Sequence, residues 1–295
     1  MNKTTYIHKT IFALAAVALS LTSCVKDEFY NTPHPDKGAV EVTTDWTGRS
    51  SDAVLPTDYL LRIGSEELTV QGETNAFKSL FVPGTQNLLV YHQAEGITIS
   101  GTTATVNALA DGTLNPMPGF LFSAAKELNI QKDDTLKVTI PMMQHIRTLT
   151  LTLKLNPGDD LRIAGTTATL TGIAPAVDLT TGSVTATEGK AVVPVFTLGT
   201  DAVKSRATGN PVLAASLRLL GVMTGEKQEL GIAVALTNGT VQTIVTDLTE
   251  ALKDFSGGEL EPLMLDATLT LPSEAGISAT ISDWNVVENG DITVN

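Results

Sequence analysis

The sequence predicts a mainly β protein built as two β-sandwich domains in tandem, with one short helix in the second. Three observations lead there. Thr, Gly, Ala, Leu and Val dominate while aromatics make up only 5% of the 295 residues, a balance that suits many short strands. Runs of strand length recur along the chain, most of them separated by Gly, Pro, Asn or Asp. The run TLTLTLKL at 148–155 sends Leu149, Leu151, Leu153 and Leu155 one way and Thr148, Thr150, Thr152 and Lys154 the other, which predicts a half-buried strand of an antiparallel sheet.

In chain order, Lys3, His8 and Lys9 precede an apolar run from Thr10 to Leu21, followed by small Thr22 and Ser23. This is the three-part form of a secretory signal. As a helix the run would cover only about 18 Å, too short for a hydrocarbon core of about 30 Å. LTSC at 21–24 resembles the lipobox of bacterial lipoproteins, with cleavage between Ser23 and Cys24 and lipid attached to the Cys24 sulfur. Cys24 is the sole cysteine, so an intrachain disulfide is excluded. Residues 1–23 are thus read as a lipoprotein signal peptide. Its loss removes two lysines and no acid, taking the formal charge from −13 to −15. A chain this acidic gains nothing overall from an anionic surface, so acyl chains on Cys24 must hold it to the membrane.

Residues 24–37 read as a lipid-tethered linker. VKDEFYNTPHPDK (25–37) has no period, two prolines and mixed charge, and thirteen residues reach at most ~45 Å. Lys26-Asp27-Glu28 resembles the short acidic tag of lipoproteins sent to the outer face of some outer membranes.

An N-terminal sandwich is expected over 38–143. Its strand runs are GAVEVTTDW (38–46), YLLRIG (59–64), NLLVYHQ (87–93), ATVNALA (104–110) and LKVTIPM (136–142), with DGTLNPMP (111–118) as a loop. A C-terminal sandwich is expected over 144–295, with strands at 148–155, DATLTL (266–271) and GISATIS (276–282). Asn238-Gly239 after GIAVALT signals a turn. Beyond it, Val241, Val245, Leu248, Leu252 and Phe255 recur at three to four residues before Gly257-Gly258, which predicts a short helix.

Chemistry is sparse. Nucleophile elbows, P-loops, dinucleotide glycine patterns, HExxH and EF-hand loops are absent. His34, His92 and His145 have no second ligand at metal spacing and read as surface or strand-end histidines. Asp133-Asp134 and Asp159-Asp160 read as solvated turn formers, and Trp46 and Trp284 as plugs of two cores. No catalytic residue, metal or cofactor is expected. With a pI near 4.7 and scattered Lys and Arg, nucleic acid is not a partner.

Several stretches together carry a resemblance: the lipobox with its linker, VEVTTDW at 40–46, FKSLFVPGTQNLLVYHQAEGITISGTTATV at 77–106, MPGFLFSA at 117–124, MMQHIRTLTLTLKL at 142–155 and ISDWNVVENGDITV at 281–294. The chain resembles lipoproteins of the fimbrillin superfamily, in the branch of fimbrial anchor or accessory subunits of anaerobic Gram-negative bacteria. The resemblance implies two transthyretin-like, Ig-like Greek-key sandwiches and outer-membrane attachment facing the cell exterior. It also implies β-strand pairing with other fimbrial subunits. Shaft subunits of that superfamily are cut after a basic residue near the first strand, whereas anchors escape the cut. Arg49 in TGRSSD is the candidate processing site here, its other reading being an ordinary loop arginine. A second reading of the whole chain is a surface glycan-binding lipoprotein of a nutrient-uptake complex, with Trp46 or Trp284 in contact with sugar.

Overall fold

The computed structural model describes residues 35–200, 210–257, 260–273 and 278–287. Ten strands precede residue 145: β1 (Ala39–Asp45), β2 (Tyr59–Ile63), β3 (Glu66–Val70), β4 (Thr74–Ala76), β5 (Gly84–Tyr91), β6 (Ile97–Ser100), β7 (Thr103–Val106), β8 (Phe122–Ile130), β9 (Thr135–Pro141) and β10 (Met143–Gln144). Eleven follow: β11 (Arg147–Leu155), β12 (Ile163–Ile173), β13 (Ala176–Asp178), β14 (Lys190–Val192), β15 (Thr197–Thr200), β16 (Pro211–Leu219), β17 (Glu229–Leu236), β18 (Val241–Asp247), β19 (Leu263–Thr270), β20 (Thr280–Ile281) and β21 (Asn285–Val286). The helix among the described residues is the single turn α1 (Thr249–Leu252).

Two sheets form the first half, ordered β4-β1-β9 and β10-β8-β5-β2-β3. Alternation decides which face is covered. In β1 Val40 and Val42 are fully buried while Glu41 and Thr43 look outward, and Leu61, Leu88, Val90, Phe122 and Ile130 of the opposite sheet join the same core. The second half repeats the plan with β15-β16-β11-β19-β20, where β21 also pairs with β19, and β14-β12-β17-β18. β10 (Met143–Gln144) pairs with β8, and β11 pairs with β16 and β19.

Each half places its first strand in the interior of a sheet and pairs it parallel to a late strand. β1 lies between β4 and β9 and runs parallel to β9 over seven residues. β11 lies between β16 and β19 and runs parallel to β19. This corrects the expectation of a half-buried strand in an antiparallel sheet. The leucine face of TLTLTLKL is buried as its period required, but Thr150 and Thr152 are buried too, with Thr150 Oγ1 3.3 Å from Ser216 Oγ of β16.

The helical reading of 241–255 is also corrected. Val241, Thr243, Val245 and Asp247 share the exposed face of β18, antiparallel to β17. The two valines mimic a helical spacing only because they lie four apart, an even number that a strand also satisfies. Helix survives in α1, where Leu252 is buried, with Leu248 just before it and Phe255 just after it buried as well. The turn reading holds: Gly239 has φ of 84° between β17 and β18, a conformation that glycine adopts without strain. ATVNALA keeps strand structure only to Val106. Of GISATIS, Thr280–Ile281 is paired and residues 276 and 277 lie outside the described residues.

A fifth sheet, β13-β7-β6, draws from both halves: Ala176, Val177 and Asp178 pair with Thr105, Ala104 and Thr103. Asp178 caps the junction, its Oδ2 accepting from Thr102 Oγ1 at 2.7 Å and its Oδ1 from the Thr180 amide at 2.8 Å. The Thr180 and Thr102 hydroxyls hold its carboxyl down at about 2. Arg218 lies 4.3 Å over the Phe120 ring and its amide donates to the Pro116 carbonyl. Side-chain and backbone contacts therefore join the two halves along a broad front.

Candidate functional site: the first strand and the segment that follows it

The sequence pointed to the stretch from Cys24 to Arg49. Ser23, Cys24 and His34 lie outside the described residues; the structure begins at Pro35 and enters β1 at Ala39. β1 is held on both edges and one face. Thr44 and Trp46 extend its buried row, 2% and 8% exposed. Trp46 Nε1 donates to Thr44 Oγ1 at 2.8 Å, and its ring meets Tyr59 and Phe122 edge-on at 5.6 and 5.5 Å. Trp46 is thus the plug expected from the sequence and offers no face to a sugar ring. Trp284 is partly buried, with Nε1 donating to Thr246 Oγ1 at 3.1 Å.

Beyond β1 the chain turns where Asp45 Oδ1 accepts from the Thr47 amide, a bond that lowers the Asp45 pKa. Thr47, Gly48 and Arg49 are exposed, and Arg49 Nη1 donates to the Trp46 carbonyl at 3.1 Å. The next residue is fixed. Ser50 is 3% exposed, and its amide donates to Gln144 Oε1 at 2.9 Å. Gln144 Nε2 in turn donates to the Ile146 carbonyl at 2.7 Å. The Ser51 amide donates to the Glu261 carboxylate at 3.0 Å, and Thr148 Oγ1 donates to Asp52 Oδ2 at 2.5 Å. Three consecutive residues after Arg49 are thereby tied to β10, β11 and the segment before β19.

His92 and His145 stand at strand ends as expected, after β5 and between β10 and β11, but both are buried rather than at the surface. His92 is 8% exposed and packs on Phe122 at 5.9 Å, with burial lowering its pKa. His145 is 7% exposed and its Nε2 lies 2.6 Å from Ser123 Oγ. Ser123 gives its only proton to the Leu179 carbonyl, so the imidazole donates through Nε2–H. Burial pushes its pKa down to about 4. Each has an apolar residue on one side and a glutamine on the other, and no local pattern signals this burial. Asp133 sits in a turn at φ 57°. Asp159 pairs with Arg162 at 2.7 Å, a structural role. Among the described residues no three His, Cys, Asp or Glu side chains are grouped to hold a metal ion, and no helix is long and apolar enough to cross a membrane.

Fold and site together define a protein of tandem β-sandwiches whose first strand is held on both edges and packed on one face. The family described as fimbrillin-A associated anchor proteins Mfa1 and Mfa2 matches residues 32–290. The chain belongs to this family, which gives it a fimbrial accessory or adhesion role at the cell surface. It is similar in fold to the fimbrial anchor protein Mfa2 from Porphyromonas gingivalis, at 8% identity and TM-score 0.58, covering 87% of this chain and 98% of that one. A candidate adhesin from Bacteroides thetaiotaomicron aligns with TM-score 0.57 at 15% identity over 87% of this chain and 99% of that one. Another from Bacteroides ovatus aligns with TM-score 0.54 at 15% identity over 84% and 93%. No curated protein matches the chain.

Proposed function

We propose that the chain is a lipid-tethered anchor or accessory subunit of a fimbria, held to the outer membrane through acyl chains on Cys24 and facing the cell exterior. The mature protein on this reading is a linker over 24–37 and two domains, 38–143 and 144–295. The observation that carries the anchor role is the seating of β1. A shaft subunit must lose its first strand, yet here the residues after Arg49 are buried or bonded. A protease needs several residues extended in its cleft, so cutting after Arg49 first requires breaking the Ser50–Gln144 and Ser51–Glu261 contacts. We therefore read the Arg49–Ser50 bond as uncut and the tether as permanent.

Neighbouring subunits join by β-strand pairing. Among the described residues, edge strands β15 and β18 are each paired on one side only, and an added strand would pair with their open edges. Mass spectrometry of the membrane-extracted protein tests the reading. An N-terminus at an acylated Cys24 is expected; surface protein starting at Ser50 would make the chain a shaft subunit.

A further inference from the structure

The pole of the first half where the chain enters from the tether has an unusual surface. β1 leads away from this pole toward the junction with the second half, and β9, parallel to it, does the same. Three segments meet at the pole: residues 35–38, the turn at 131–134 and the stretch 78–84. Gly38 and Phe81 exchange backbone hydrogen bonds at 2.9 and 2.8 Å, and the Asp133 amide donates to the Lys37 carbonyl at 3.1 Å. Packing there is tight, since a Cβ on Gly38 would lie 2.2 Å from the Gln131 carbonyl oxygen.

With Phe81 turned to the strand, its neighbours face solvent: Leu80 is 41% exposed and Val82 62%. Leu80 shares a hollow of about 490 Å³ with Pro35, Lys37, Asp133 and Lys137. Lys37, Lys78 and Lys132 are exposed on the same three segments and are matched by Asp36, Asp133 and Asp134. The pole is therefore electrically balanced, and the excess negative charge of the chain lies elsewhere.

We infer that this pole rests against the lipid surface of the membrane, with Leu80 and Val82 in the interfacial layer and Lys37 and Lys78 reaching headgroup phosphates, while Lys132 stays paired with Asp36. The inference rests on acylation of Cys24. Cys24 lies eleven residues before Pro35, a span of at most ~39 Å, so the acyl chains keep this pole within that distance of the membrane surface. A short tether raises the local concentration to about the millimolar range, at which a contact too weak to hold a free protein is well populated. The lysine stems can lie along apolar surface with their ammonium groups in the headgroup layer. The surplus of acid on the remaining surface turns that surface away from an anionic leaflet.

The test uses the full membrane-extracted chain in vesicles of phosphatidylethanolamine and phosphatidylglycerol. Cys24 is the sole cysteine and is blocked when acylated, so Val82→Cys accepts an NBD fluorophore at one place. Leu161→Cys, on the 79% exposed Leu161 beyond the far end of β11, is the reference. Reduction by aqueous dithionite should be about fivefold slower or more at position 82 than at 161, and Leu80→Glu should erase the difference. Equal rates in protein that floats with the vesicles would overturn the docking while leaving the tether intact. Protein that fails to float overturns both. Slow reduction at position 82 that persists in a Cys24→Ser chain free in solution would assign the shielding to a second copy and overturn the inference.

Discussion

Acidification should loosen the junction between the two halves, and His145 is where the effect is largest. In the fold its imidazole is 7% exposed and neutral, with burial taking its pKa from 6.5 to about 4. The unfolded chain takes up that proton near pH 6.5 and the native one refuses it until about pH 4, so the unfolded state binds more protons throughout that window. Stability contributed by the neutral imidazole is whole above pH 6.5 and is lost as the pH falls toward 4. At about 1.4 kcal/mol per pH unit the interval amounts to roughly 3 kcal/mol. His92, also lowered by burial, acts in the same direction. Urea unfolding at pH 7.0, 5.5 and 4.5 should show the wild type losing stability faster than His145→Gln, whose amide can still donate to Ser123 but cannot titrate. The difference between the two proteins isolates His145 from carboxylates such as Asp178, which at about 2 stays ionised across the window. Parallel pH profiles for the two proteins would refute the reasoning.

Two other substitutions probe the first strand. Trp46→Ala should lower stability by about 3–5 kcal/mol, since it empties a site between Tyr59 and Phe122 and leaves the Thr44 hydroxyl without its indole donor; urea unfolding measures it, and a loss under about 1 kcal/mol would mean the site collapses freely. Gln144→Ala removes the acceptor of the buried Ser50 amide, a change of about 1–3 kcal/mol in holding the segment closed. Trypsin should then cut after Arg49 about tenfold faster or more than in the wild type, with an unchanged rate showing that Gln144 does not guard the bond.

Much of the fold was legible because its signals are local. The alternation of VEVTTD and TLTLTLKL identified the first strand of each half, and Asn238-Gly239 marked a hairpin turn. What escaped was decided by distant partners. Ser50 and Gln144 meet across 94 residues, and no pattern near either announces it. The burial of Thr150 and Thr152 on the other face of β11 is something alternation alone does not encode. The period of Val241 and Val245 fitted helix and strand alike until β17 supplied a partner for β18. At the candidate site the sequence identified β1 and Arg49 but not the clamp that immobilises Ser50, Ser51 and Asp52.

The parallel seating of β1 has a mechanical consequence. A load drawn through the N-terminal side of β1 runs along the strand axis, across the direction of its backbone bonds to β9 and β4. These bonds are strained together in shear, whereas a strand pulled from its side would unzip one rung at a time. Seven residues of register with β9 thus act as a joint that resists traction along the strand axis, while the packed junction passes the same load onward to the second half.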